Sequence, residues 1–261
     1  TWTDIMTYCG NQWISDITYK AMAERLNKLG SAARTRRTGA AAPVETFFVV
    51  GSINLTQGAG EMGPGYRWMS DEAPTAPEPG EFSLRLEDGG GAVLSETSFA
   101  VEHLDPPPQD EDEVVPFQIE VLFDSAAARI VLLDDGVELA SRQVSAHAPA
   151  LTVTAPNGGE TVTDTVQVAW QGDDADGDPL SYSVQYSCDG GATWEPLAAD
   201  LAETSFNLDT TALPGGEQCL LRVLATDGVN VGEDQSNGAF TVTRKAPSVR
   251  ILFPGGGWYI E

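Results

Sequence analysis

Basic side chains are scarce in this sequence. Lysine and arginine together number 14, against 39 aspartates and glutamates, and the formal net charge at pH 7 is −25. Binding to nucleic acid or to an anionic membrane depends on clustered basic residues, so this balance argues against both kinds of partner. The one basic cluster, residues 34–37, lies among small residues that are typical of a linker.

Histidine and long apolar runs are scarce as well. Only His103 and His147 are present, and neither has a second histidine one helical turn away. The chain therefore lacks the histidine spacing from which the zinc sites of peptidases are built. No apolar run is long enough to span a membrane, and there is neither a signal peptide nor an initiator Met. These absences predict that the sequence is a piece of a longer protein.

Most of the sequence alternates between apolar and polar residues, as strands with one buried face do. The pattern A-P-x-[LV]-x-[VI]-x-x-P-x-G-G occurs at residues 148–159 and recurs at residues 246–257. Its period of about 100 residues suits one immunoglobulin-sized sandwich. Ahead of the strands, residues 15–29 carry an apolar stripe at helical spacing, with Ser15 as the N-cap and Gly30 as the C-terminal stop.

These patterns predict a mainly β fold, with two tandem immunoglobulin- or fibronectin-like β-sandwiches preceded by one short α-helix. The predicted parts are the helix-bearing residues 1–30, a linker at 31–44, a first sandwich at 45–147 and a second at 148–245. Residues 246–261 are predicted to be the first strand of a third module.

Two segments interrupt the alternation and are predicted to be long loops. One spans residues 57–79, rich in Gly and Pro, and the other spans residues 104–113, with three consecutive prolines and an acidic run. Loops of that length are functional or mobile. Tyr66 and Trp68 lie in the first one, where they either anchor the loop in the core or stack on sugars.

Three cysteines are too few for a disulfide-stapled scaffold. Cys188 ends one predicted strand and Cys219 begins another. In an immunoglobulin-like or fibronectin-type sandwich these are the third and sixth strands, which are antiparallel neighbours, so the two thiols would lie close together. A disulfide and two free thiols are both compatible with this placement. Cys9 either forms a disulfide with a cysteine outside this sequence or is a free buried thiol.

An acidic loop at residues 173–178 is the best candidate for a metal site. Calcium takes six to eight oxygen ligands from flexible acidic loops, and this segment offers four carboxylates in six residues. Asp227 follows the predicted sixth strand, whose loop emerges at the same end of such a sandwich. The predicted calcium ligands are Asp174, Asp176, Asp178 and Asp227. The alternative is that these side chains only form Asx-type turns on an acidic surface.

Residues 187–194 fit S-x-D-x-G-x-T-W, which resembles the Asp-box of sialidases. In that motif the Asp and Ser side chains bind the turn backbone, and the Trp packs beneath it. The motif occurs once here, so a rigid hairpin turn is predicted and a sialidase is not implied.

The N-terminal residues Asp4-Ile5-Met6-Thr7-Tyr8 resemble the methionine turn of metzincin-type zinc peptidases. The longer pattern, Asp-Ile-Met-x-Tyr-Cys followed by Trp-Ile-Ser-Asp-x-Thr-Tyr, is similar to the end of the catalytic domain in large secreted bacterial zinc metalloproteases. The resemblance implies that Met6 forms the apolar floor under the zinc histidines and that Tyr8 helps to stabilise the oxyanion. It also implies that residues 1–30 are a remnant of the catalytic domain, with the zinc ligands located upstream.

Two functions are therefore expected. The first is the non-catalytic C-terminal region of a secreted zinc metalloprotease, inactive alone, whose sandwiches serve as spacers, substrate adaptors or surface attachments. Its partners would be protein or glycan substrates at the bacterial cell surface or in a matrix. The second is a non-enzymatic extracellular adhesion or carbohydrate-binding protein.

Overall fold

A computed structural model describes residues 42–103 and 111–244. Within these ranges the chain forms sixteen strands and one short 3₁₀ turn, Thr210–Ala212, so the predicted mainly β fold is confirmed. The predicted α-helix and the predicted third module lie outside the described residues. No helix in the described ranges is long and apolar enough to cross a membrane.

The first sandwich contains seven strands in two antiparallel sheets. One sheet has the order β2-β1-β5 and the other has the order β4-β3-β6-β7. Alternating apolar residues of the two sheets fill the core between them, including Phe47, Leu84, Phe117 and Ile130. The strands are β1 Val44–Asn54, β2 Ala59–Ser70, β3 Phe82–Asp88, β4 Val93–Phe99, β5 Val114–Leu122, β6 Ala127–Asp134 and β7 Val137–Gln143.

The second sandwich contains the other nine strands. One sheet has the order β13-β10-β8, and the other has the order β12-β11-β14-β16-β9, with β15 also paired to β14. Its core includes Trp170, Tyr182, Tyr186, Leu221 and Phe240. The strands are β8 Ala150–Ala155, β9 Thr161–Val162, β10 Thr165–Asp173, β11 Ser181–Ser187, β12 Glu195–Leu201, β13 Ser205–Asp209, β14 Gly216–Thr226, β15 Val231–Gln235 and β16 Phe240–Val242.

The prediction of a loop at residues 57–79 is wrong for Ala59–Ser70, because these residues form strand β2. Gly63, Pro64 and Gly65 argue against a strand, since Pro has no N–H to donate and Gly weakens a strand interior. Both residue types are tolerated here because β2 is an edge strand of its sheet. A side chain at Gly65 would collide with the carbonyl oxygen of Gly228 and the ring of Phe47. The glycine is therefore required both by the packing of the second sandwich against this edge and by the Phe47 ring of the neighbouring strand β1.

Candidate functional site: the junction between the sandwiches

An apolar cluster joins the two sandwiches. Phe48, Val50 and Tyr66 of the first sandwich are buried against Ala199 and Leu224 of the second, and the half-buried Trp68 and Val231 pack around them. Successive residues of a strand face opposite sides of the sheet. Strand β1 therefore has two buried faces, with Phe47 and Val49 in its own core and Phe48 and Val50 in the junction.

The turn after β14 extends the junction into the first sandwich. Val229, at the tip of this turn, is only 1% exposed and belongs to the core cluster of the first sandwich. The backbone N–H of Arg67 on β2 donates to the carbonyl oxygen of Val229 at 2.9 Å. The Thr226 hydroxyl donates to the carbonyl oxygen of Gly65. The turn thus covers the free edge of β2, which would otherwise expose unpaired backbone groups.

Arg142 on β7 binds backbone atoms of both sandwiches. Its guanidinium donates to the carbonyl oxygens of Met62 at 2.6 Å and Gly63 at 2.8 Å, and to that of Gly228 at 2.8 Å. Burial lowers the pKa of this guanidinium, although Asp227 partly opposes the effect. Three carbonyl acceptors compensate for the water that the side chain loses. Arg142 therefore connects β2, β7 and the turn after β14.

Asn230, in the turn after β14, binds the linker between the sandwiches, residues 144–149. Its side-chain amide donates to the carbonyl oxygens of Ser145 at 3.0 Å and His147 at 3.3 Å, and its Oδ1 accepts from Arg67 at 3.2 Å. The same amide donates to Asp227 Oδ2 at 2.8 Å. A side chain of the second sandwich thus binds two backbone carbonyls of the linker.

The acidic loop after β10 also contacts this linker. One carboxylate oxygen each from Asp174, Asp176 and Asp178 can be chosen so that all three lie within 4.8 Å of one another. Asp174 Oδ1 accepts the N–H groups of Asp176 and Asp178, whereas its Oδ2 is buried without a hydrogen-bond partner. Asp178 accepts the hydroxyl of Ser145, and Asp176 accepts the backbone N–H of His147 at 2.8 Å.

The side chain of His147 forms an ion pair with Asp176, with 2.9 Å between Nδ1 and Oδ1. The hydrogen bond to Asp176 raises the pKa of His147, and the same bond lowers the pKa of Asp176. Because the pKa of the imidazole is raised in the fold, its contribution to stability is present at low pH and is lost as the pH rises through the raised value.

Three of the four predicted calcium ligands therefore lie together, but Asp227 is not in their group. Asp227 accepts the N–H groups of Val229 and Asn230, each at 2.7 Å, and so organises its own turn. With one oxygen from each residue, the three grouped carboxylates supply three of the six to eight oxygens that calcium takes. Calcium binding stays a prediction of the sequence, and Asp174 Oδ2 is a buried oxygen without a hydrogen-bond partner.

Isothermal titration of the full chain with calcium tests this prediction. We expect a dissociation constant of roughly millimolar size, which is typical of calcium sites in extracellular modules. The variant Asp174→Asn should abolish the heat, and Asp134→Asn in the first sandwich should not change it. Absence of heat at several millimolar calcium would contradict calcium binding. The three carboxylates would then serve only to hold their own loop and the linker.

Tyr66 does not form a sugar-stacking surface, so that interpretation is wrong for this residue. It is 1% exposed, its hydroxyl lies 3.3 Å from Ser183 Oγ across the junction, and burial raises its pKa. Trp68 is half-buried, and the centroid of its ring lies 6.1 Å from that of Phe48. Both residues lie on β2 and contribute to the junction.

The Asp-box residues form a tight turn after β11, as the motif predicts. Asp189 Oδ1 accepts from the backbone N–H groups of Ala192 at 2.7 Å and Thr193 at 2.9 Å, and its Oδ2 accepts from the Thr193 hydroxyl. These bonds hold the pKa of Asp189 far below its usual range. Trp194 is buried beside the turn, and the guanidinium of Arg222 lies 4.4 Å from its ring centroid.

Replacing Asp189 by alanine should lower the melting temperature by a few degrees, since several hydrogen bonds to the turn are lost. A carboxylate with a lowered pKa stabilises the fold above its unfolded pKa, and this contribution disappears as the pH falls through the folded value. The difference from wild type should therefore shrink in acid. Thermal unfolding at pH 7 and pH 3, with Glu195→Ala as the control, measures both effects.

The two cysteines of the second sandwich are joined by a disulfide across β11 and β14, which are antiparallel neighbours. Cys219, on β14, is fully buried in the core of the second sandwich. The other predicted site residues, Met6 and Tyr8, and the third cysteine, Cys9, lie outside the described residues.

The junction residues Val229, Arg142 and Asn230 were missed by the sequence patterns. Each is a single residue in a turn or on a strand, and its partner lies far away in the sequence. The Asp-Gly-Val-Asn segment at residues 227–230 indicates a turn but gives no signal that its valine is buried.

Comparison with known proteins adds no family assignment. No protein-family model matches the chain, and neither does any curated protein. Among solved structures, the chain is similar in part to the endo-β-1,4-mannanase from Thermotoga petrophila. The match has 19% identity and a TM-score of 0.30, and it covers 39% of this chain and 21% of that enzyme.

Proposed function

We propose that this chain is a non-catalytic part of a secreted zinc metallopeptidase, in which the two sandwiches act as one stiff spacer. The observation that supports the spacer role is the buried junction. Domains within one chain move relative to each other unless their interface is large and hydrophobic. Here the interface contains a shared apolar cluster and a valine of one sandwich in the core of the other.

The polar contacts of the junction support the same role. Arg142 and Asn230 bind backbone carbonyls of both sandwiches or of the linker, so rotation about the linker would break several hydrogen bonds at once. A spacer of this kind keeps a fixed distance and orientation between the parts it connects. This fits a secreted enzyme that must present its catalytic domain to a substrate at a cell surface or in a matrix.

The peptidase part of the proposal rests on residues 4–8 and the pattern that follows them. The zinc would be held by histidines upstream of this sequence. His103 lies 3.7 Å from Glu81 and 3.6 Å from Glu113 in the first sandwich, whereas His147 pairs with Asp176 of the second. The two imidazoles are thus engaged with different carboxylates.

Reading the gene upstream of Thr1 tests the peptidase assignment. The proposal expects an HExxHxxGxxH helix shortly before this point, and its absence would contradict the assignment. Addition of zinc to the chain alone should produce no peptide hydrolysis.

The spacer role is tested in the full-length enzyme with the variant Val229→Ala. The kcat/KM for a short peptide should stay unchanged, since the catalytic domain is intact, while cleavage of a large surface-bound substrate should fall. The exposed Val137→Ala is the matched control. Equal effects on both substrates, or none on either, would contradict the spacer role.

A further inference from the structure

The described part of the two sandwiches contains no lysine. The three lysines of the chain, Lys20, Lys28 and Lys245, all lie outside the described residues. The positive side chains in the described ranges, apart from histidine, are Arg67, Arg85, Arg129, Arg142, Arg222 and Arg244.

Five of these six arginines are used in internal contacts. Three form ion pairs across neighbouring strands: Arg67 with Glu45 at 2.7 Å, Arg85 with Glu96 at 2.9 Å, and Arg129 with Glu138 at 2.6 Å.

The other two of the five are directed at neutral groups. Arg142 binds the backbone carbonyls of the junction, and Arg222 donates to Gln185 and lies over the Trp194 ring. These two guanidinium groups therefore donate to backbone or side-chain carbonyl oxygens. Neither forms an ion pair with a carboxylate among the described contacts.

Carboxylates greatly outnumber these cations, at 39 acidic against 14 basic residues in the whole chain. At the junction, carboxylate oxygens of Asp174, Asp176 and Asp178 come within 4.8 Å of one another, with His147 as the partner of only one of them. Repulsion between like charges disfavours the compact state. Its range falls from about 30 Å at 0.01 M salt to about 3 Å at 1 M.

We propose that the two-sandwich unit is built for a saline medium and that dissolved cations, by screening its carboxylates, are required for its full stability. Salt also weakens the exposed ion pairs of Arg85 and Arg129, which opposes the effect. These pairs are few, and the residual negative charge is large, so the net effect of salt is stabilising. This inference does not depend on the peptidase assignment.

Thermal unfolding of the full chain at pH 7 in 0.01 to 2 M NaCl tests the proposal. The melting temperature should rise by on the order of 10 °C, with most of the gain below about 0.5 M, where the screening length changes most. Choline chloride at equal ionic strength should give the same curve. A flat or falling curve would overturn the proposal, and so would a rise with sodium but not with choline.

Charge variants provide the second test. Glu72, Glu203 and Glu217 are exposed. Replacing all three by Gln should raise the melting temperature at 0.01 M NaCl and flatten its salt dependence, whereas the Asp replacements keep the charge and should keep the slope. If the Gln and Asp variants show the same slope, screening of surface carboxylates is not the cause.

Discussion

Replacing Val229 by aspartate is expected to unfold the first sandwich, although Val229 belongs to a turn of the second. The side chain is 1% exposed and lies in the core cluster of the first sandwich, so the substitution places a carboxylate among apolar side chains. An unpaired buried charge of this kind costs about 4 kcal/mol or more. Hydrogen exchange should show loss of protection in β1 and β2, measured on the full chain.

Two further variants serve as controls for this result. Val229→Ala should cost about 2 kcal/mol, since it removes only buried methyl groups. Val137→Asp, at a position that is 66% exposed in the first sandwich, should change the stability by less than about 0.5 kcal/mol. Loss of protection confined to the second sandwich would show that the turn does not support the first.

Reduction of the disulfide between Cys188 and Cys219 is expected to destabilise the second sandwich by about 3–4 kcal/mol. The bond closes a loop with a sequence separation of 31 residues and so restricts the unfolded chain. Denaturant unfolding with and without dithiothreitol measures the effect, and reduction leaves both sulfur atoms in the core, so no cavity is created. The Cys188→Ala/Cys219→Ala variant should be insensitive to the reductant. An unchanged midpoint for the reduced wild type would contradict the expectation.

The sequence was sufficient to predict the strands that have one polar face. In β3, Phe82, Leu84 and Leu86 are buried in the core, which matches their period of two. The hairpin between β6 and β7 has positive φ angles at Asp135 and Gly136, as an Asp-Gly turn predicts. These features depend on residues close together in the chain, so local patterns are enough to find them.

The repeated pattern at residues 148–159 also has a local physical basis. Pro149, Val153 and Pro156 are buried, and Gly158 and Gly159 have positive φ angles, whereas Thr152 and Thr154 at variable positions are exposed. Apart from Ala148, which is exposed, the fixed letters thus mark positions where packing or backbone conformation restricts the residue. The second copy lies outside the described residues.

The junction could not be predicted because its residues satisfy constraints from a distant part of the chain. Strand β2 contains glycines and a proline that locally indicate a loop, and Gly65 is required by its contacts with Gly228 and the Phe47 ring. Three of the four predicted calcium ligands are grouped because they share one loop, while Asp227 is committed to its own turn.

The rigidity of the junction is tested most directly by ¹⁵N relaxation of the full chain in solution. If the two sandwiches tumble as one body, amides in β3 and β6 of the first and in β11 and β14 of the second will all give one rotational correlation time, of the length expected for both sandwiches together. Shorter correlation times, each of the length expected for a single sandwich, would contradict the account.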